Sequence, residues 1–280
     1  MAIYKPTELH NFLQELGISP KKVLSQNFLI DGNIVRKILL SAEVTHGDLI
    51  LEIGPGPGSL TEELLAQGAD VIAVERDDVL ANALKRLTGG PGKLHVFCED
   101  IMEFPIEETI KSLLKPGQKA KVIANLPYHL TTAIIEKLIG MHDLISSLTL
   151  MVQDEVARRF TANPHTKEYG SLTIFLNFYS TVRYAFSVSN QCFFPIPKVS
   201  SAVVTFTLKL PQQVSDATAF FLLTRTAFQQ RRKMMRSSLK ELYAPEKIMN
   251  ALQSIHCTTL ARPEELSLPQ FIHIFEYLQQ

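Results

Sequence analysis

The chain has 280 residues, matched numbers of basic and acidic side chains and no formal net charge at pH 7. This length suggests about two domains, and the neutral balance means that any nucleic-acid binding must come from a local basic patch. No apolar run reaches membrane-spanning length, the first residues lack signal or transit character, and Cys98, Cys192 and Cys257 are far apart without metal-ligand spacing, as in a reduced cytosolic protein.

Leu9, Phe12, Leu13 and Leu16 recur at helical spacing, and Gly17 ends that helix. Pro20-Lys21-Lys22 leads into Ser25-Gln26-Asn27-Phe28-Leu29, ahead of a helix carrying Ile34, Val35, Ile38 and Leu39. This arm, residues 1–45, follows no strand pattern and is expected to pack over the ligand edge of a sheet. The first clear strand, Asp48–Ile53, runs into Gly54-Pro55-Gly56-Pro57-Gly58 and then a capping-box start, Ser59-Leu60-Thr61-Glu62, to a helix ending near Gly68. Strand two, Asp70–Val74, ends in Glu75, and a helix from about Asp78 to Leu87 follows. Strand three, Lys93–Cys98, ends in Glu99-Asp100; strand four is Lys121–Ala124; strand five, Ser147–Val152, comes after a helix over Thr132–Ile139. Strands alternating with helices at this spacing predict an α/β fold with a doubly wound, mostly parallel, Rossmann-like sheet. After a helix over Leu172–Tyr179, the runs Val182–Val188 and Ala202–Leu208 have no helix between them, which predicts a closing antiparallel hairpin. Pro211–Asp216 reads as a linker and the remainder as helical. The expected division is a catalytic domain over 1–211 and a small all-α domain over 216–280.

A glycine loop between strand and helix is shared by many nucleotide folds. Here the sixth fingerprint position is Ser59 rather than Gly, Pro55 and Pro57 remove two backbone N–H groups, and no Lys-Ser/Thr pair follows. The loop admits close backbone approach at Gly54 and Gly56 but is poorly equipped for phosphate, which favours S-adenosylmethionine, a sulfonium cofactor, over NAD or ATP. Glu75, 21 residues beyond Gly54, ends strand two, where a carboxylate can take both ribose hydroxyls. Asp100, ending strand three, can accept from the cofactor adenine's amino group.

Strand four runs into Asn125-Leu126-Pro127-Tyr128. Pro stops the strand, so a side-chain amide and an aromatic ring leave the sheet where a substrate should sit. An adenine amino group attacks poorly because its lone pair is delocalised into the ring. Acceptors for its two N–H groups, the Asn125 oxygen and the Leu126 carbonyl, would localise that pair, while Tyr128 offers a stacking face. The four residues taken alone also read as a strand end with a turn and a core Tyr.

Gln26-Asn27-Phe28-Leu29, Glu52-Ile53-Gly54-Pro55-Gly56-Pro57-Gly58, Glu75, Asp100, Asn125-Leu126-Pro127-Tyr128 and Phe193–Val203 together resemble the ribosomal RNA adenine N6,N6-dimethyltransferase family, nearest its bacterial small-subunit branch. The resemblance spans nearly the whole chain. It implies dimethylation of two adjacent adenosines in a hairpin near the 3' end of small-subunit (16S) rRNA, within the 30S precursor, by a cytoplasmic monomer needing neither metal nor membrane. It further implies that Asn27, Leu29, Gly54, Glu75, Asp100 and Asn125 contact S-adenosylmethionine, and that Asn125 and Tyr128 hold the target adenine with Phe193. Ser25 stands where the family usually has Gly, which leaves the path of the arm open.

Arg225, Arg231, Arg232, Lys233 and Arg236 lie in an acid-free stretch interleaved with Phe228, Gln229 and Gln230, read as a phosphate-contacting surface. A similar run marks the small-subunit branch and separates it from erythromycin-resistance methylases. Two other readings stand beside this one: a DNA or small-molecule methyltransferase on the same sheet, disfavoured by Leu126-Pro127 where DNA enzymes carry Pro-Pro, and a ribosome-assembly factor whose methylation is incidental.

Overall fold

The computed structural model describes residues 3–231 and 233–280, with the side chain of Lys22 also left out. Arg232 therefore lies outside the described residues. In chain order the strands are β1 (Phe28–Leu29), β2 (Leu49–Ile53), β3 (Asp70–Glu75), β4 (Leu94–Cys98), β5 (Ala120–Asn125), β6 (Ile145–Gln153), β7 (Ser180–Val188), β8 (Phe193–Phe194) and β9 (Ser201–Leu208). The helices are α1 (Pro6–Glu15), α2 (Gly32–Ser41), α3 (Ser59–Ala66), α4 (Asp78–Leu84), α5 (Ile106–Leu113), α6 (Thr131–Leu138), α7 (Asp154–Phe160), α8 (Ser171–Tyr179), α9 (Ala217–Gln229), α10 (Met235–Ser238), α11 (Pro245–Ser254) and α12 (Leu268–Gln279).

Among the described residues, seven strands form one sheet in the order β4-β3-β2-β5-β6-β9-β7. From β4 through β6 neighbours run parallel, and β9 turns antiparallel on β6. Every residue of β2 is buried, because helices cover both faces of a parallel sheet and leave a strand no polar side. β2 and β5 are adjacent, with Ile53 opposite Ala124. Their C-terminal ends therefore place the glycine loop and Asn125 side by side. The strand order reverses between β2 and β5, which is where open α/β sheets form their ligand crevice.

Two expectations are corrected here. The arm does contain strand pairing: Phe28 lies opposite Phe194 and Leu29 opposite Phe193 in an antiparallel ribbon. Two residues are too few to show alternation in the sequence. A further helix, α5, fills the interval between β4 and β5, where the sequence predicts no element; its buried face holds Ile106 and Ile110.

The chain divides into two compact units, one running to Ala157 and resuming over Arg183–Lys209, the other made of Arg158–Val182 and Leu210–Gln280. This differs from the expected division at 211–216, since residues 158–182 join the helical unit. The cause is aromatic. Phe178 on α8 packs against Phe220 and Phe221 on α9 at ring centroid distances of 5.6 and 5.0 Å, and Phe220 in turn meets Phe275 on α12 edge-on at 5.6 Å. Such rings bury large apolar areas and favour tilted or edge-on pairs. α8 thus supplies apolar surface that the C-terminal helices need for a core of their own.

Candidate active site

The crevice is walled by the ends of β2, β3, β4 and β5 and bordered by arm residues 23–29. Gly54, Gly56 and Gly58 have φ of 64°, 58° and 95°, the left-handed region that side chains resist. Their N–H groups are engaged internally: Gly54 donates to the Val74 carbonyl (2.9 Å), Gly58 to that of Pro55 (3.0 Å), and Gly56 to Glu75 Oε2 (2.8 Å). With Pro55 and Pro57 lacking N–H groups, the loop from Gly54 to Gly58 has no free N–H donor for a pyrophosphate.

Three acidic side chains face this crevice. Glu75 is 6 % exposed, and its Oε1 also accepts from Asp77 N (2.9 Å). Burial pushes the Glu75 carboxyl up, against the pull of these backbone donors. Asp100 Oδ1 accepts from Met102 N (2.9 Å), while Oδ2 lies 3.3 Å from Arg76 Nη1. Glu52, which in the sequence stands out only as the first residue of the Glu52–Gly58 motif, is 1 % exposed. Its Oε2 accepts from Thr61 Oγ1 (2.7 Å), and among the described residues nothing meets Oε1. Burial pushes this carboxyl up to about 8. An acceptor-rich pocket without free loop N–H groups offers a phosphate no backbone donors and suits a ligand bearing hydroxyl or amino donors. S-adenosylmethionine, with its sulfonium, ammonium, ribose hydroxyls and adenine amino group, fits this donor set.

Asn125 stands at the mouth of the crevice. Its Nδ2 donates to the Asn27 backbone carbonyl at 3.0 Å. A carbonyl only accepts, so this bond fixes which end of the amide is which and leaves Oδ1 as the acceptor directed away from the arm. Leu126 is anchored by its N–H to the Met151 carbonyl (3.2 Å). No donor of the described residues meets its own carbonyl, and its side chain is buried. Tyr128 is half-buried, held by a 2.8 Å hydrogen bond between its hydroxyl and Ser201 Oγ. Burial raises its phenol, so it remains neutral. In the arm, Asn27 donates Nδ2 to the Ser25 carbonyl (3.0 Å), and the Leu29 carbonyl accepts from Ser59 Oγ (3.0 Å). Ser25 adopts φ 52°. It keeps the backbone geometry that glycine favours, and its hydroxyl reaches His129 Nδ1 at 3.2 Å.

The expectation for Phe193 needs correction. Its ring is 1 % exposed, inside the sheet core with Leu29 and Val203, whereas Phe194 is 41 % exposed. Alternation along β8 turns one ring inward and the other outward, and neither ring is among the residues that line the crevice.

Within the helical unit, Arg225 and Lys233 are exposed. Arg231 is corrected as a free phosphate ligand: it donates to the carbonyls of Lys167 (2.5 Å) and Tyr169 (2.7 Å) and lies 3.7 Å from Glu264. Arg236 is partly buried, with Nη1 3.6 Å from Met249 Sδ. Sequence spacing marks a basic run but does not distinguish cations that face water from those that hold a turn.

A Rossmann-like sheet with a phosphate-poor glycine loop, acids at successive strand ends and an Asn-Leu-Pro-Tyr exit defines a methyltransferase of the kind that acts on an exocyclic amine. The pattern described as "Ribosomal RNA adenine dimethylase" matches residues 18–280, and the chain belongs to that family. It is 58 % identical over 278 residues to "Ribosomal RNA small subunit methyltransferase A" of Protochlamydia amoebophila (strain UWE25), covering 99 % of this chain and 98 % of that protein. Among solved structures it is similar to a dimethyladenosine transferase from Plasmodium falciparum, with TM-score 0.73, 25 % identity and coverage of 88 % of this chain and 95 % of that one. It also resembles the 23S rRNA methyltransferase ErmE, with TM-score 0.69, 25 % identity and coverage of 91 % and 100 %.

Proposed function

We propose that this family member dimethylates N6 of adenosines in small-subunit rRNA, on the 30S precursor in the cytoplasm, with Asn125 and the Leu126 carbonyl activating the amino group. One observation carries the reading: the Asn125 amide is pinned by the Asn27 carbonyl, so its oxygen is the free end. The cofactor, S-adenosylmethionine, supplies an electrophilic methyl on a sulfonium that leaves as a neutral thioether. Glu75 would hold its ribose, Asp100 its adenine amino group, and the loop at Gly54 and Gly56 the backbone approach.

The chain's own task is orientation. Two acceptors, Asn125 Oδ1 and the Leu126 carbonyl, draw the two N6–H groups out of the ring plane toward a tetrahedral arrangement, which takes the nitrogen lone pair out of conjugation with the ring. Tyr128, braced by Ser201, presents its face to the flipped base. Holding reactants in line removes much of the entropic barrier. A strong base is unnecessary, because the amino proton becomes acidic once the nitrogen is alkylated.

The test offers labelled S-adenosylmethionine with small-subunit particles lacking adenine dimethylation, naked rRNA, large subunits and DNA, and digests the products to nucleosides. Label in N6,N6-dimethyladenosine from small-subunit particles alone is expected. Label in large subunits or DNA would refute the substrate assignment.

A further inference from the structure

Asp77 belongs to no motif singled out in the sequence, yet its side chain is 1 % exposed and accepts four hydrogen bonds. Oδ1 accepts from Val79 N (3.1 Å) and Leu80 N (3.3 Å), capping α4. Oδ2 faces the arm, accepting from Gln26 Nε2 (3.2 Å) and Lys21 Nζ (2.8 Å). Gln26 is fixed at its other end as well, because Oε1 accepts from Lys21 N at 2.7 Å. One peptide further on is the Asn27 carbonyl that receives Asn125 Nδ2. An unbroken path of short contacts thus joins the buried Asp77 carboxylate to the orientation of the Asn125 amide.

We infer that Asp77 is a positioning residue for methyl transfer: by holding Gln26 and Lys21 it seats the arm so that the Asn27 carbonyl keeps Asn125 Oδ1 turned toward the target amine. The inference rests on the reading of Asn125 as the acceptor. Physically, a primary amide has two nearly isosteric ends, and water in place of the Asn27 carbonyl, able to donate as well as accept, would satisfy either one. Without the seated arm, Asn125 presents NH2 to the substrate's N–H groups in part of the population, and donor meets donor. Ser25, with its hydroxyl on His129, and Ile30, whose N–H reaches the Cys192 carbonyl at 2.8 Å, tether the arm elsewhere. Loss of the Asp77 contact therefore shifts the arm locally rather than releasing it.

The experiment compares Asp77→Asn, Gln26→Met and Asn125→Ala with the parent protein. Asp77→Asn keeps an oxygen for the α4 cap and exchanges the acceptor facing Gln26 for a donor; Gln26→Met leaves the cap untouched. At saturating cofactor and undermethylated small-subunit particles, kcat is expected to fall about tenfold or more in each. Thermal midpoint and affinity for S-adenosylhomocysteine should stay within about twofold or a few degrees of the parent. The double variant should lose no more than the larger single loss, since both cut one path. Undiminished kcat in Gln26→Met, with Asn125→Ala inactive, would overturn the positioning role while sparing the reading of Asn125. So would losses in Asp77→Asn and Gln26→Met that multiply, or that run in parallel with lost stability and cofactor affinity. An active Asn125→Ala would overturn that reading and the inference with it.

Discussion

Glu52 sits under the glycine loop with one oxygen on Thr61 and the other, buried, meeting no donor among the described residues, and its folded-state pKa of about 8 lies well above the ordinary 4.5. Desolvation by burial is the main cause, with the nearby Glu75 charge adding to it. The native protein therefore retains a proton there that the unfolded chain releases. The resulting stabilisation is complete below pH 4.5 and is lost as pH rises through 8. Thermal melts of the ligand-free protein between about pH 5 and pH 9 should show the midpoint declining over this window. Glu52→Gln, which cannot ionise, should flatten that decline and raise the midpoint at the alkaline end. Asn125 was legible as a candidate from its place before Leu-Pro-Tyr. Which end of its amide faces the crevice was not, because that depends on a carbonyl 98 residues away. Phe193 and Phe194 make a similar case: adjacent identical residues are separated in role only by which one the β1–β8 register turns inward.

At the scale of elements, the glycine loop and the arm shape the crevice together. A Cβ built on Gly56 would lie 3.2 Å from the Phe28 ring, and φ there is 58°. Gly56→Ala thus meets backbone strain of about 1–2 kcal/mol and displaces the arm at the same time. Denaturant titration should register a loss of that size, and cofactor titration a clear drop in affinity. Unchanged affinity would mean that the loop at Gly56 does not line the cofactor pocket. The loop was readable because glycines and prolines act through local φ and missing donors. The arm was only partly so. Its anchors, Asp77, His129 and Cys192, come from three other parts of the chain, and no local pattern announces them.

At the scale of the whole molecule, the chain divides into two compact units, and the basic stretch belongs to the helical one. Arg225 and Lys233 are exposed, whereas Arg231 is held by backbone carbonyls. If the exposed pair meets RNA phosphates, Arg225→Ala with Lys233→Ala should weaken particle binding and lower the slope of log K against log salt by about 1.5, with the melting temperature unchanged. Arg231→Ala should instead lower the melting temperature, since it removes donors from the 166–169 turn. By itself the sequence determined the parallel sheet, the phosphate-poor glycine loop, the acids at strand ends and the Asn-Leu-Pro-Tyr exit, all of which follow from periodicity, backbone restriction and side-chain chemistry within a short window. Only the tertiary structure decided that α8 joins the helical core, which phenylalanine faces out, which arginine is occupied and how Asp77 reaches Asn125. Each of those depends on partners brought together from distant positions, and burial and hydrogen-bond satisfaction become definite only once the chain has packed.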